Sequence, residues 1–286
     1  MMNHSVVNYR HAFHAGNFAD VHKHVVLLAL LARLGQKPKP LFYLDTHAGR
    51  GWYDLRAADA TRGGEWREGI VRLAGRQTQS ADLSRYLQAT HATSAAPTRY
   101  PGSPLVALGA LRAGDRAVLV EQQPAEAQAL KQSMLGKRNV AVVCGDGYAA
   151  LKTYLPPREN RGLVLIDPPY ESETEFADAE RALRFGLSRW PNGLFVLWYP
   201  IKAGPQSHRL NAALQASGLR KLLRLELTVR PADSPLGLNG SGLVIANPPW
   251  KFAEELAPAL AEVHAAVALD GAGRTNVEWL VAEGSE

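Results

Sequence analysis

A single cysteine, Cys144, stands in a chain of 286 residues. No internal disulfide can form, and a thiolate-based zinc centre would lack its partners. No apolar run approaches the roughly 18 residues that cross a bilayer. The longest near the N-terminus, residues 25–32, follows a His- and Lys-bearing segment and has no small-residue cleavage site, unlike a signal peptide. There is no Lys/Arg block of the kind that marks a nucleic-acid arm, no internal repeat, and no low-complexity stretch beyond "QATHATSAAPT" at 88–98. A cytoplasmic protein without a membrane segment is expected. With no exposed hydrophobic seam, a monomer is expected too.

What the chain does have is an ordinary globular balance, 46% hydrophobic and 21% charged. Its length suits one large domain, or one domain carrying an insertion. The net charge of +5 is compatible with a polyanionic partner and does not require one.

Apolar spacing from Asn17 through Leu31 predicts a helix, with Asn17 and Asp20 at its start. Buried strands follow at 41–45, 117–121, 139–143, 162–166 and 193–200, separated by helical stretches. "RKLLRLELTVR" and "SGLVIANPPW" then close the chain as an antiparallel hairpin. Apolar strands alternating with helices indicate an α/β, Rossmann-like, mostly parallel sheet of seven strands covered on both faces, with the hairpin at its C-terminal end. The gap after the first strand is too long for a plain crossover. "YPGSPLVALGALR" reads as the crossover helix, which leaves 53–97 as a small helical insertion subdomain within a main domain of 1–52 and 98–286.

Ligands of such sheets lie beyond the carboxyl ends of the strands, and Asp45, Glu121, Asp146 and Asp167 all fall at such ends. Gly49 and Gly51 let backbone approach a ligand. A dinucleotide fingerprint would next want a small residue at position 54, which is Asp. Glu121 is placed to take two ribose hydroxyls. Asp146 with Gly147 can accept from an adenine amine, although helix capping would also explain Asp146. Together these suit S-adenosylmethionine (SAM) better than NAD.

"LIDPPY" then offers chemistry. An aromatic amine is a poor nucleophile because its lone pair is delocalised into the ring. Acceptors on both N–H groups help to localise it. Asp167 and the carbonyl of Pro168 supply two, the second proline fixes their geometry, and Tyr170 offers a face for a flipped base. The carboxylate can take the released proton. A second copy, "ANPPW" at 246–250, has Asn247, which cannot accept that proton. It reads as structural, with Trp250 capping the core.

"YRHAFHAGNFADVHKH", "YLDTHAG", "YPGSP", "GDG" and "LIDPPYE" together resemble the RlmJ family of bacterial 23S rRNA adenine-N6 methyltransferases, over residues 9 to about 250. The resemblance implies SAM contacts at His24, His47, Ser103, Glu121, Asp146, Gly147 and Asp167, with Asp167 catalytic beside Pro168 and Tyr170. It also implies that Tyr9 and Lys23 meet the RNA, 23S rRNA that is protein-free or partly assembled. Rival readings are a DNA adenine-N6 methyltransferase, a protein glutamine methyltransferase, and an RNA-binding assembly factor without catalysis. The cluster His11, His14, Asp20, His22 and His24 lacks zinc-ligand spacing, so no metal is expected. In the insertion, Arg62 and Arg67 are the first candidates for phosphate contacts.

Overall fold

The computed structural model describes residues 11–93, 95, 97–269 and 272–284. Tyr9 lies outside the described residues.

The chain opens into helix α1 (Phe18–Gly35), capped by the Asn17 side chain, which accepts from the Asp20 N–H. Strand β1 (Phe42–Asp45) follows, then β2 (Trp52–Asp54). Residues 53–97 contribute the short helices α2 (Ala58–Gly63), α3 (Ile70–Leu73) and α4 (Ala81–Ala89). Strand β3 (Arg99–Pro101) leads into α5 (Ser103–Ala110) and β4 (Arg116–Glu121). Next come α6 (Pro124–Ser133), β5 (Val140–Cys144), α7 (Gly147–Tyr154) and β6 (Gly162–Ile166). Then α8 (Glu175–Arg189), β7 (Leu194–Ile201), α9 (Gln206–Ala216) and β8 (Leu222–Thr228) follow. The described chain finishes with β9 (Gly240–Ala246), α10 (Phe252–Val267) and β10 (Arg274–Val281).

The main sheet runs β10-β8-β9-β7-β6-β1-β4-β5. Strands β5, β4, β1, β6 and β7 are parallel neighbours, while β9 enters antiparallel between β7 and β8. The expected hairpin is therefore present, and β10 adds an eighth strand, antiparallel to β8. Side chains alternate across the sheet as the pleat requires. Tyr43, Leu163 and Leu165 face a core shared with α1, α5 and α10, whereas Phe42, Leu44, Val164 and Ile166 face one shared with α7, α8 and α9.

Helix α10 and strand β10 depart from the sequence expectation of two closing strands. Pro258 inside α10 obscures the pattern, and an interior proline costs about 3 kcal/mol. The helix stands because Phe252, Leu256, Leu260, Val263 and Val267 are all at most 2% exposed. Burying each such side chain stabilises by roughly 1.5–3 kcal/mol, which outweighs the proline.

The helices of residues 53–97 do not hold a core of their own. Ile70, Leu73, Leu83, Tyr86 and Leu87 join the core of α1. Strand β2 pairs antiparallel with β3, and the Gly102 N–H donates to the Gly51 carbonyl at 2.7 Å. That pairing carries Ser103 to the end of β1.

The second proline motif follows an interior strand and lies at the opposite end of the sheet, where the parallel strands begin. Ala246 pairs with Phe195 near the start of β7, and both amide hydrogens of Asn247 go to the carbonyls of Pro191 and Gly193 at 2.8 Å. Trp250 does not cap the core: it is 81% exposed, with the Lys251 ammonium over its ring. Phe252, two residues on, is the aromatic that packs inward.

Gly147 holds the turn of β1 against α7. A Cβ there would fall 2.0 Å from the Thr46 carbonyl oxygen. Gly147→Ala must separate the two segments, with an overpacking cost of about 1–3 kcal/mol. Thermal unfolding should shift down by several degrees; an unchanged midpoint would show that the contact yields freely.

Candidate active site

A cleft of about 680 Å³ opens over the carboxyl ends of β1, β4, β6 and β7. Of the residues singled out in the sequence, it brings together Lys23, His24, His47, Ser103, Glu121, Asp167 and Pro168. Asp146, Gly147 and Tyr170 do not line it.

Asp167 follows β6, and one of its oxygens lies 2.5 Å from the Lys23 ammonium. The same ammonium is 3.0 Å from Asp20, one helical turn back on α1. The second oxygen of Asp20 accepts from the Gly16 N–H at 2.9 Å and meets His11 at 3.0 Å. Burial alone would pull the Lys23 pKa down, but Asp167 and then Asp20 overcome it and raise it, so the side chain stays an ammonium. Burial would likewise raise Asp20, yet Lys23 and His11 hold it well below the usual carboxylate range.

At the end of β1, Asp45 accepts from the Ser103 hydroxyl at 2.7 Å and the Tyr43 hydroxyl at 2.9 Å. Burial pushes its pKa up to about 6 despite those donors. Glu121 closes β4 with one oxygen accepting from the Gly49 N–H at 2.8 Å and the other from the Gln123 N–H at 2.7 Å. Each oxygen keeps a lone pair for a further donor, and desolvation raises its pKa. Beside it Gly49 has φ +63°, and a Cβ there would sit 2.2 Å from the Tyr53 hydroxyl oxygen. The chain thus presents bare backbone to the cleft.

Asp146 caps α7, one oxygen accepting from the Tyr148 and Ala149 N–H groups. Tyr170 is buried, and its hydroxyl donates to the Trp198 carbonyl at 2.6 Å. Its backbone lies in the left-handed region at φ +52°, where a non-glycine residue is strained. Its ring meets Trp198 edge-on at 5.7 Å. Trp198 does line the cleft, 5.4 Å from the Lys23 nitrogen.

Sequence reasoning missed several members. Asp20 carries no sequence signal beyond its place at a helix start and its nearness to the histidines. Trp198 sits inside an apolar strand run and carries no motif. Among the histidines, His22 meets Ser241 and His24 meets the Tyr100 hydroxyl at 2.8 Å, so the two diverge on α1.

The fold and cleft define a Rossmann-like methyltransferase: five parallel strands, an antiparallel strand entered beyond them, and acidic residues at the strand ends. The profile of the family described as "Ribosomal RNA large subunit methyltransferase D, RlmJ" matches residues 38–281. Two relatives called "Ribosomal RNA large subunit methyltransferase J", from Haemophilus influenzae and Escherichia coli, are each 39% identical over 97% of this chain and 100% of their own. A crystal structure of protein LPL1258 from Legionella pneumophila superposes with a TM-score of 0.85 at 35% identity, covering 93% of this chain and 98% of that one. The chain belongs to the RlmJ family.

Burial lowers the pKa of His24 and His22 to about 3 and of His47 to about 4. The unfolded chain protonates these rings below about pH 6.5, while the folded chain resists until near pH 4. Their stabilisation is therefore full above pH 6.5 and lost as pH falls through that window. Asp45, raised to about 6, works in the opposite sense, because its costly charge disappears on acidification. Glu121 and Glu175, raised by burial, and His14, raised by Glu65, act in that sense too. The three rings lie furthest from their ordinary values, so denaturant midpoints should fall from pH 7 to pH 5. A flat profile would contradict the neutral burial of these histidines.

Proposed function

We propose that this protein methylates the N6 amino group of one adenine in 23S rRNA, using SAM as the methyl donor. The observation that carries the reading is the sharing of one cleft by Asp167–Pro168 at the end of β6 and Glu121 at the end of β4. Family membership supports rRNA as the acceptor. We propose further that the protein acts as a cytoplasmic monomer on rRNA that is free or only partly assembled.

The residues fit the donor. Glu121 would take the ribose hydroxyls on its remaining lone pairs, and the bare backbone at Gly49 allows close approach. Asp146 and Gly147 lie outside the cleft's lining, so they would meet only an adenine end that extends past it, Asp146 through the oxygen that the α7 cap does not use. His24, His47 and Ser103 would complete the walls, both histidines being neutral donors or acceptors. When bound, SAM supplies an electrophilic methyl group on a sulfonium.

On the acceptor side, Lys23 holds one oxygen of Asp167, and the other would accept one hydrogen of the adenine amine. The Pro168 carbonyl would accept the second. With both hydrogens engaged, the nitrogen lone pair is freed from the ring and aimed at the methyl group. Asp167 then receives the proton released after transfer. Trp198, with Tyr170 packed behind it, would give the flipped base an aromatic wall. Base–aromatic stacking of this kind is worth about 1–3 kcal/mol. Lys23 and Tyr9 would also meet the RNA, while Arg62 and Arg67, both exposed on the 53–97 subdomain, would take phosphates.

Purified protein with tritiated SAM, offered protein-free 23S rRNA, assembled subunits, DNA or cell protein, tests the reading. Label recovered as N6-methyladenosine from the free rRNA is expected; label only in DNA or protein overturns the acceptor. Asp167→Ala should lower turnover by about 10²–10⁴-fold, while SAM and RNA affinities change within a few-fold, since Lys23 keeps Asp20 as a partner. Near-normal turnover by that variant would remove Asp167 from the chemistry.

A further inference from the structure

Beside the main cleft lies a second one of about 280 Å³, at the same edge of the sheet. Ile201, Ser207, His208, Glu226, Arg230 and Arg274 are among its lining residues. The two clefts share a wall. Ile201 faces the second and Lys202 the first; Arg230, Pro231 and Ala232 face the second, whereas Gly237 and Leu238 face the first. The loop that forms the wall is pinned by Asn239, whose side-chain amide donates to the carbonyls of Ala232 and Ser234 and whose N–H donates to the Ile201 carbonyl.

The chemistry of the second cleft is that of an anion site. Arg33, Arg50, Arg112, Arg116 and Arg224 each hold a carboxylate. Among the described residues, Lys202, Arg230 and Arg274 hold none. The single carboxylate in the lining, Glu226, is already engaged by the Tyr199 hydroxyl at 2.6 Å and faces Arg224 at 3.8 Å. Helix α9 lends Ser207 and His208 of its first turn to the lining, it has no acid in that turn, and its N-cap, Pro205, offers no side-chain acceptor. Its positive dipole end is left without a counter-charge from its own sequence.

We propose that this second cleft binds a backbone phosphate of the RNA strand flanking the methylated nucleotide, which passes over Lys202 between the two sites. The proposal rests on the reading of an RNA acceptor. A phosphodiester suits two guanidinium groups and a helix N-terminus, and such contacts fix register without reading sequence.

The experiment compares the whole protein with the Arg230→Gln/Arg274→Gln double variant, measuring affinity for protein-free 23S rRNA across a salt series. The wild type should lose affinity steeply as salt rises. Removing this one phosphate contact should weaken binding about ten-fold at low salt and make the log–log slope shallower by about 0.7–0.9. Turnover at saturating RNA should stay near the wild-type value, with KM raised. Arg274→Gln alone, at an exposed position, should give about half the change in slope, which guards against misfolding of the double variant. Arg158→Gln, remote on the surface and paired with Glu159, serves as the control and should leave the slope intact. If the wild type itself shows no RNA binding or a flat salt response, the RNA reading fails and this proposal with it. If the wild type is steep and the variants match it, the phosphate site is wrong and the RNA reading stands.

Discussion

A lysine ammonium 5% exposed between two carboxylates sets the terms for the rest of this structure. Removing such a charge from water costs several kcal/mol, and only closely placed partners offset it. Asp20 comes from the same helix and Asp167 from the end of β6, so the pairing fastens the start of α1 to the middle of the sheet. Asp20 in turn needs the Gly16 N–H and His11, which fixes the chain entering the helix. Slide α1 by one residue and Lys23 keeps Asp20, which moves with it, but loses Asp167, so two buried charges are left with one partner too few. The helix therefore has one register on the sheet, and the cleft inherits its shape from that register.

The same constraint explains why periodicity reads α1 as a helix, while His24 and Lys23 enter the site only through the family resemblance. Its apolar residues recur at helical spacing, which says nothing of where the polar ones, Asp20, His22, Lys23 and His24, are placed. All four are buried. Sequence periodicity reports which side chains are apolar; it cannot report that polar ones are enclosed by strands far along the chain, as His22 is by Ser241. The strand-end acids were more legible because their position follows from the strands themselves. Glu121 and Asp167 meet in one cleft for that reason. Ser103 was beyond such reasoning, since its place depends on the β2–β3 pairing, two strands of three residues each. Trp250 misled in the other direction: an aromatic after a strand looks like a cap, yet the backbone turns at Lys251, φ +56°, before it can fold inward.

Tyr170 shows how a motif can be read correctly in composition and still be placed differently in space. The two prolines hold the strand exit extended, and the following residue then turns through the left-handed region. That turn sends the hydroxyl to the Trp198 carbonyl on β7 and leaves Trp198 on the cleft wall. Strain of this kind, on the order of 1–3 kcal/mol, persists where the surroundings enforce it. Here the enforcement is the aromatic packing of Tyr170 against Phe176 and Trp198. The motif fixes a neighbour as much as it presents its own ring.

The charge layout then bears on how a polyanion could enter at all. The main cleft carries Asp20, Glu65, Glu121, Glu126 and Asp167 among its lining groups, against Lys23, Arg50 and Lys202. Arg50 is held by Glu126 through two hydrogen bonds, and Lys23 is spent on Asp20 and Asp167. A phosphate chain drawn into such a cleft would meet more carboxylate than cation. The attraction has to come mainly from outside it, where basic side chains stand unpaired, and the second cleft across the Ile201–Lys202 wall is one such place. Binding energy gained on the backbone there would offset the cost of turning one base out of its stack and into an acidic cleft. Such contacts are made equally in the bound ground state and in the transition state, so they favour capture of the RNA over the rate of the chemical step.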